Sequence, residues 1–187
     1  DTALIGVSTT TLAWPTVRKA SLELKRRFPG VPLVVGGPHV TAFPEETLLY
    51  SEFDVGVIGD GEHSLMELLE RAAAGRSLAG VPGTVYREDN RVKVDQRVSW
   101  VSTLDDLPMP ALDLLPLHRY QSVVVKSPFV TMLTSRGCPY KCSFCSQIYM
   151  GEKFRFHTAD RIVAEMERAE RTFGAKEIVM FDETFGA

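Results

Sequence analysis

The chain has 187 residues, 44 % of them hydrophobic and 24 % charged, with a formal net charge of −3. This is the balance of an ordinary soluble globular protein, long enough for one large domain or parts of two, and it gives no broad attraction to nucleic acid. No apolar run approaches the roughly 18–20 residues of a membrane span. The only cysteines stand at 138, 142 and 145. So close together and odd in number, they suit a reducing cytoplasm rather than a disulfide-stapled secreted fold. The chain begins at Asp1 without a secretory signal and stops after a strand-like run, and it reads as an excerpt of a longer polypeptide.

Strand and helix signals alternate through the first half. Residues 3–8 form a short apolar strand ending in a polar run, and Pro15 suits the first turn of a helix. Val17, Ala20, Leu24 and Phe28 repeat at helical spacing, Pro29-Gly30 ends that helix, and residues 31–35 make a second buried strand closed by Gly36-Gly37-Pro38. A short helix over 45–51, a third strand over 54–58 and a helix over 64–74 stopped by Gly75 follow. Such alternation predicts parallel β-α-β units. Residues 83–87 and 91–96 then flank Glu88-Asp89-Asn90 as a hairpin. Periodicity disappears between Ser99 and Leu117, where Pro108, Pro110 and Pro116 punctuate the chain. The expected organisation is an α/β domain over 1–98, a proline-rich linker over 99–124 lying across a surface, and a second α/β segment over 125–187. In that segment, residues 129–134 form a strand running into the cysteines. Thr158 caps a helix whose inner face is Ile162, Val163, Met166, Ala169 and Phe173, and residues 177–181 form another strand.

The cysteines lie in Gly137-Cys138-Pro139-Tyr140-Lys141-Cys142-Ser143-Phe144-Cys145-Ser146. Three thiolates in one short loop can wrap a cubane, each binding one iron. The chain has no fourth cysteine, so one iron would stay open to a non-protein ligand. The alternative is a zinc knuckle completed by His157 or His118, although zinc sites commonly pair their cysteines as C-x2-C.

The C-x3-C-x2-C spacing, with Phe144 before the third cysteine, resembles the signature of the radical SAM superfamily. The resemblance implies a 4Fe–4S cluster on Cys138, Cys142 and Cys145. The open iron would chelate S-adenosylmethionine, the reduced cluster would cleave it to a 5′-deoxyadenosyl radical, and Phe144 would lie beside the cofactor. It also implies that the strand at 129–134 opens a partial β/α barrel and that 177–181 is the barrel's second strand. Asp182 and Glu183 would then approach the amino group of the cofactor, an acidic chain facing an ammonium. The usual Gly-Gly-Glu at that place is here Asp-Glu-Thr, closer to the cobalamin-binding branch; the ordinary reading is a cap or surface pair. Arg155 and His157 are support for the cluster loop or solvated loop residues. With only two barrel strands, the excerpt by itself is not expected to turn over.

Ser8-Thr9-Thr10 and Gly36-Gly37 end successive strands, and in open α/β sheets ligands bind beyond those carboxyl ends. With Val34-Val35-Gly36-Gly37-Pro38-His39 and Gly59-Asp60-Gly61-Glu62, these elements resemble the later part of a cobalamin-binding domain of Rossmann-like, flavodoxin-like type, incomplete at its N-terminus. Ser8, Thr10, Gly36 and Gly37 become candidate cobalamin contacts. The segment where a cobalt-ligating histidine would lie is absent. His39 is expected to be a backbone-bonded loop histidine, and Glu62 a helix-start residue. The implied function is a cobalamin-dependent radical SAM enzyme, most often a methyltransferase acting on an unactivated carbon of a small-molecule or natural-product substrate, with flavodoxin or ferredoxin as reductant. Ring contraction and cyclisation occur in the same branch. Two alternatives stand beside it: a front domain that binds substrate instead of cobalamin, and a non-catalytic iron–sulfur or zinc protein.

Overall fold

A computed structural model describes residues 2–98, 100–145, 151 and 153–186. It divides into two compact units, one reaching to Val101, to which Phe144 and Cys145 are also assigned, and one beginning at Ser102.

The first unit is a five-stranded sheet in the order β1-β2-β3-β4-β5. Strands β1 (Ile5–Ser8), β2 (Leu33–Gly36) and β3 (Val55–Val57) are parallel. Each crossover carries helix: α1 (Trp14–Arg27) between the first two, α2 (Pro38–Ala42) and α3 (Pro44–Leu49) between the next. After α4 (Glu62–Ala73) the chain returns antiparallel as β4 (Thr84–Glu88) and turns into β5 (Arg91–Val94). Asp89 and Asn90 both take positive φ in that turn (50° and 59°), the conformation of a tight right-twisted hairpin.

Alternation along the strands feeds two cores. Leu33, Val35 and Val85 pack with Trp14, Val40, Leu48 and Phe53 on one side; Val34, Val55 and Val57 pack with Leu68 and Val81 on the other. Pro15 lies in the first turn of α1 as its fixed φ favours. The buried stripe of α1 is narrower than the expected one, since Ala20 and Phe28 are exposed. Ser21 is buried instead, its hydroxyl donating to the Arg18 carbonyl (2.7 Å) and accepting from the Glu52 N–H (3.1 Å).

Gly56 lies where the sheet admits no side chain. A Cβ there would stand 2.6 Å from Val85 Cγ1 and 2.9 Å from Val40 Cγ1. Gly56→Ala is therefore expected to cost about 1–3 kcal/mol through overpacking, read as a lower urea midpoint. Gly61→Ala, whose Cβ would meet Val57 at an ordinary 3.7 Å, should leave the midpoint near wild type.

The Gly59-Asp60-Gly61-Glu62 loop secures the chain that leaves this unit. A Cβ on Gly59 would strike Val98 at 2.7 Å and the Trp100 ring at 3.0 Å, and the Asp60 carboxylate accepts the Val101 N–H at 2.9 Å. Glu62 begins α4, where a negative charge suits the helix dipole.

The second unit opens with three 3-10 turns, Leu104–Asp106, Leu112–Leu114 and Leu117–Arg119. Strand β6 (Phe129–Met132) then pairs in parallel with β9 (Glu177–Met180), joined through α5 (Ala159–Phe173). Between them, β7 (Ser135–Arg136) pairs antiparallel with β8 (Arg155–Phe156). Leu112, Leu117, Val130 and Ala169 form the core, with Phe173 and Ile178 against it. Side chains of α5 tie down the proline-rich segment, Arg161 Nη1 donating to the Leu107 carbonyl (3.0 Å) and Arg168 Nη1 to the Pro110 carbonyl (2.7 Å). Thr158 caps α5, its Oγ1 accepting from Arg161 N–H at 3.3 Å. Val163, expected inside, is 53 % exposed. The interior positions include Glu165 instead. Among the described residues no helix is long and apolar enough to cross a membrane.

Candidate functional site

The cysteine loop springs from a stitched base. The Phe181 N–H donates to the Met132 carbonyl at 2.8 Å, extending the β6–β9 ladder past its last pair. Asp182 then reaches across: its Oδ1 accepts from the Thr134 N–H (2.9 Å), the Thr134 hydroxyl (2.8 Å) and the Ser135 hydroxyl (2.6 Å). Thr134 and Ser135 are themselves buried. The β7–β8 ladder and the His157 N–H on the Thr134 carbonyl (2.8 Å) close the loop's two ends together. Gly137, the last residue before the first cysteine, has φ +80°, and a Cβ there would lie 2.5 Å from the Lys153 carbonyl oxygen. Only glycine fits that approach.

Cys138 is 6 % exposed, and its Sγ lies 3.2 Å from the Thr184 hydroxyl. Cys142 and Cys145 are exposed, as is Phe144 at 91 %. Among the described residues no three His, Cys, Asp or Glu side chains converge as a metal-ligating set. One thiol of the loop is thus held and two are presented to solvent. This fits a cluster whose assembly orders its ligands, since metal binding and local folding are commonly one event.

The Oδ2 atom of Asp182 is buried and has no hydrogen-bond partner among the described residues. A buried carboxylate oxygen left so is an acceptor suited to a cationic donor. Glu183 beside it is exposed.

Arg155 is 5 % exposed, so the reading of it as a solvated loop residue does not hold. His157 is also enclosed, its Nδ1 2.8 Å from Asp105 Oδ1. Asp105 further accepts from the Thr158 hydroxyl at 2.5 Å, and these donors, Thr158 first and His157 next, hold its carboxyl below the usual range. His157 thus bridges the proline-rich segment to the loop base. Burial pushes Glu165 up against the opposing pull of Arg161, whose Nε lies 3.9 Å away. The residues that sequence reasoning missed here are Gly137, Thr184, Asp105 and the Arg161–Glu165 pair. Only Gly137 carried a local signal, a glycine directly before a ligand candidate.

In the first unit, Ser8 and Thr10 are exposed at the carboxyl end of β1, and Thr9 between them is buried. Thr10 also turns the chain into α1: its carbonyl accepts the Ala13 and Trp14 N–H groups at 3.1 and 3.0 Å. Gly36 continues β2. At Gly37 a Cβ would lie 2.8 Å from both the Ser8 hydroxyl and the Thr9 carbonyl oxygen, so the glycine lets the two strand ends lie side by side. His39 is not a backbone-bonded loop histidine. It sits in α2, stacked on Trp14 with ring centroids 4.6 Å apart and Nδ1 3.3 Å from the Thr11 hydroxyl. Desolvation lowers its pKa, and its Nε2 is buried without a hydrogen bond among the described residues.

Residues 1–69 match the B12 binding domain, and residues 132–186 match the radical SAM superfamily. An uncharacterized methyltransferase of Pyrococcus horikoshii is 35 % identical over 99 % of this chain and 40 % of its own length. The cobalamin-dependent radical SAM methyltransferase TokK of Streptomyces tokunonensis is 32 % identical over 68 % of this chain and 19 % of its own. The solved radical S-adenosylmethionine methyltransferase TsrM of Kitasatospora setae, with tryptophan and a SAM analog bound, shares the fold with TM-score 0.72 at 24 % identity, over 98 % of this chain and 37 % of that one. The chain spans 40 % or less of the length of each of these three proteins. The chain therefore carries a Rossmann-like B12-binding domain followed by part of a radical SAM region.

Proposed function

We propose that the protein of which this chain is part is a cobalamin-dependent radical SAM enzyme that methylates an unactivated carbon of a small-molecule substrate. The observation that carries the reading is the cysteine loop rooted between the carboxyl ends of two parallel strands, with Cys138 set against Thr184 and Asp182 clamping the root. Cys138, Cys142 and Cys145 would hold a 4Fe–4S cluster, Asp182 Oδ2 and Glu183 would accept from the ammonium of S-adenosylmethionine, and Phe144 would offer an apolar face beside it. In the first unit, Ser8, Thr10 and the Gly36-Gly37 backbone would line the cobalamin site. When bound, the cluster supplies reductive cleavage of the sulfonium, driven by a flavodoxin- or ferredoxin-type reductant, and cobalamin supplies methyl transfer. The polypeptide binds, orients and excludes water. The proline-rich segment is fixed to α5 by Arg161 and Arg168 and meets the loop base through Asp105 and His157.

The test is purification of the full-length protein with cobalamin supplied, followed by anaerobic reconstitution. The expected result is about one corrinoid and about four irons with sulfide per chain, and 5′-deoxyadenosine on adding reductant and S-adenosylmethionine. A cluster without corrinoid would make the front domain a substrate-binding module. Zinc alone would reject the radical chemistry.

A further inference from the structure

We infer that Thr184 is a positioning residue for the cluster: its hydroxyl donates a hydrogen bond to the Cys138 sulfur and so raises the potential at which the cluster accepts an electron. The inference rests on the reading above that Cys138 is a cluster ligand. The Thr184 Oγ1 lies 3.2 Å from Cys138 Sγ, well inside hydrogen-bonding range for sulfur. In the free thiol either atom can donate. A metal-bound thiolate has no proton, so the hydroxyl becomes the donor.

The contact is built, since both partners are fixed from their own sides. Cys138 follows Gly137, whose approach to the Lys153 carbonyl admits no side chain, and Cys138 itself is a buried residue. Thr184 stands two residues after Asp182, whose carboxylate is locked onto Thr134 and Ser135 at the same loop base. One short segment after β9 therefore grips the loop at two points, through a carboxylate on its root and a hydroxyl on its first cysteine.

The physical consequence has a definite sign. Reduction adds one negative charge to the cluster, and that charge is shared by the ligating sulfurs. A donor on a sulfur stabilises the reduced state more than the oxidised one, which is how hydrogen bonds to sulfur set cluster potentials. A chain that must reduce a sulfonium works at the low end of the range, so a modest change in the ease of reduction alters how much reduced cluster a given reductant supplies. One hydrogen bond of ordinary net strength, about 0.5–1.5 kcal/mol, corresponds to a change of about two- to twelve-fold in the reduction equilibrium.

The experiment is an EPR-monitored redox titration of the reconstituted full-length protein, comparing wild type with Thr184→Val, which keeps shape without the hydroxyl, and Thr184→Ser, which keeps the hydroxyl. The expected result is a reduction equilibrium about three- to ten-fold less favourable in the valine variant, at unchanged iron content, and a near wild-type value in the serine variant. Equal potentials in wild type and valine variant, or an equal shift in valine and serine variants, would overturn the inference while leaving the cluster assignment intact. A wild type that assembles no cluster would overturn the assignment itself and this inference with it. If the valine variant loses iron, deuterium-exchange ENDOR on the wild type decides: an exchangeable deuteron coupled to the cluster that is kept in Thr184→Ser supports the role, and none in the wild type sinks it.

Discussion

Gly137→Ala is expected to strip most of the cluster from the protein although all three thiols remain. Two costs coincide at this position. A residue with a Cβ at φ +80° pays about 1–2 kcal/mol for the left-handed region. The added methyl would also lie 2.5 Å from the Lys153 carbonyl oxygen and 3.0 Å from that of Gly151. These are backbone atoms and cannot step aside as a flexible side-chain end can. The β7–β8 base must open, and Cys138, the next residue, moves with it. The expected outcome is a loss of about 3 kcal/mol in the second unit and iron per chain below half of wild type after identical reconstitution. Gly174→Ala is the matched control. It too has a positive φ, +66°, but among the described residues nothing lies within 4 Å of a Cβ placed there, so it should cost only the backbone preference, about 1 kcal/mol, and leave iron content alone. Equal iron in wild type and Gly137→Ala would show that the loop base does not govern the site.

What the sequence disclosed follows from how locally each feature is encoded. The three cysteines occupy one loop, so the expectation that they share a metal rests on spacing alone. The parallel strands and their crossovers are written in alternating apolar runs, and Thr158, Pro15 and Gly75 mark helix ends through backbone chemistry that acts within one turn. Thr184 was opaque because its partner lies 46 positions away, and nothing in a Thr after Asp-Glu announces a sulfur. Asp105 was opaque for the same reason, its bond to His157 spanning 52 positions. The helical stripes erred at their edges: Ala20, Phe28 and Val163 share the period of the core face, but what they meet depends on how far the neighbouring strands and turns extend. Gly37 is a mixed case. The pair Gly36-Gly37 suggested a ligand approaching bare backbone, whereas the crowding at Gly37 comes from the protein itself, the Ser8 hydroxyl and Thr9 carbonyl.

Asp182 joins the structural and cofactor roles in one carboxylate, and two substitutions can separate them. In Asp182→Ala the Thr134 N–H and the Thr134 and Ser135 hydroxyls all lose their acceptor at once. Thr134 and Ser135 are 5 % and 4 % exposed, so water cannot replace it freely. Each buried donor left unsatisfied costs about 1–3 kcal/mol, and partial rehydration on loop movement trims the sum to about 3–5 kcal/mol. The expected observation is a lower denaturation midpoint with faster amide exchange at Thr134 and along the start of the cysteine loop. Asp182→Asn keeps a carbonyl oxygen for the Oδ1 contacts but puts an NH2 where the orphaned Oδ2 lies. It should recover most of the stability yet weaken S-adenosylmethionine binding to the cluster-loaded full-length protein by roughly ten-fold or more, since a donor now faces the ammonium. The two readouts are independent, one taken without cofactor and one with it. An asparagine variant that is stable and binds the cofactor as wild type does would leave Asp182 a clamp for the loop and move recognition of the ammonium to another residue.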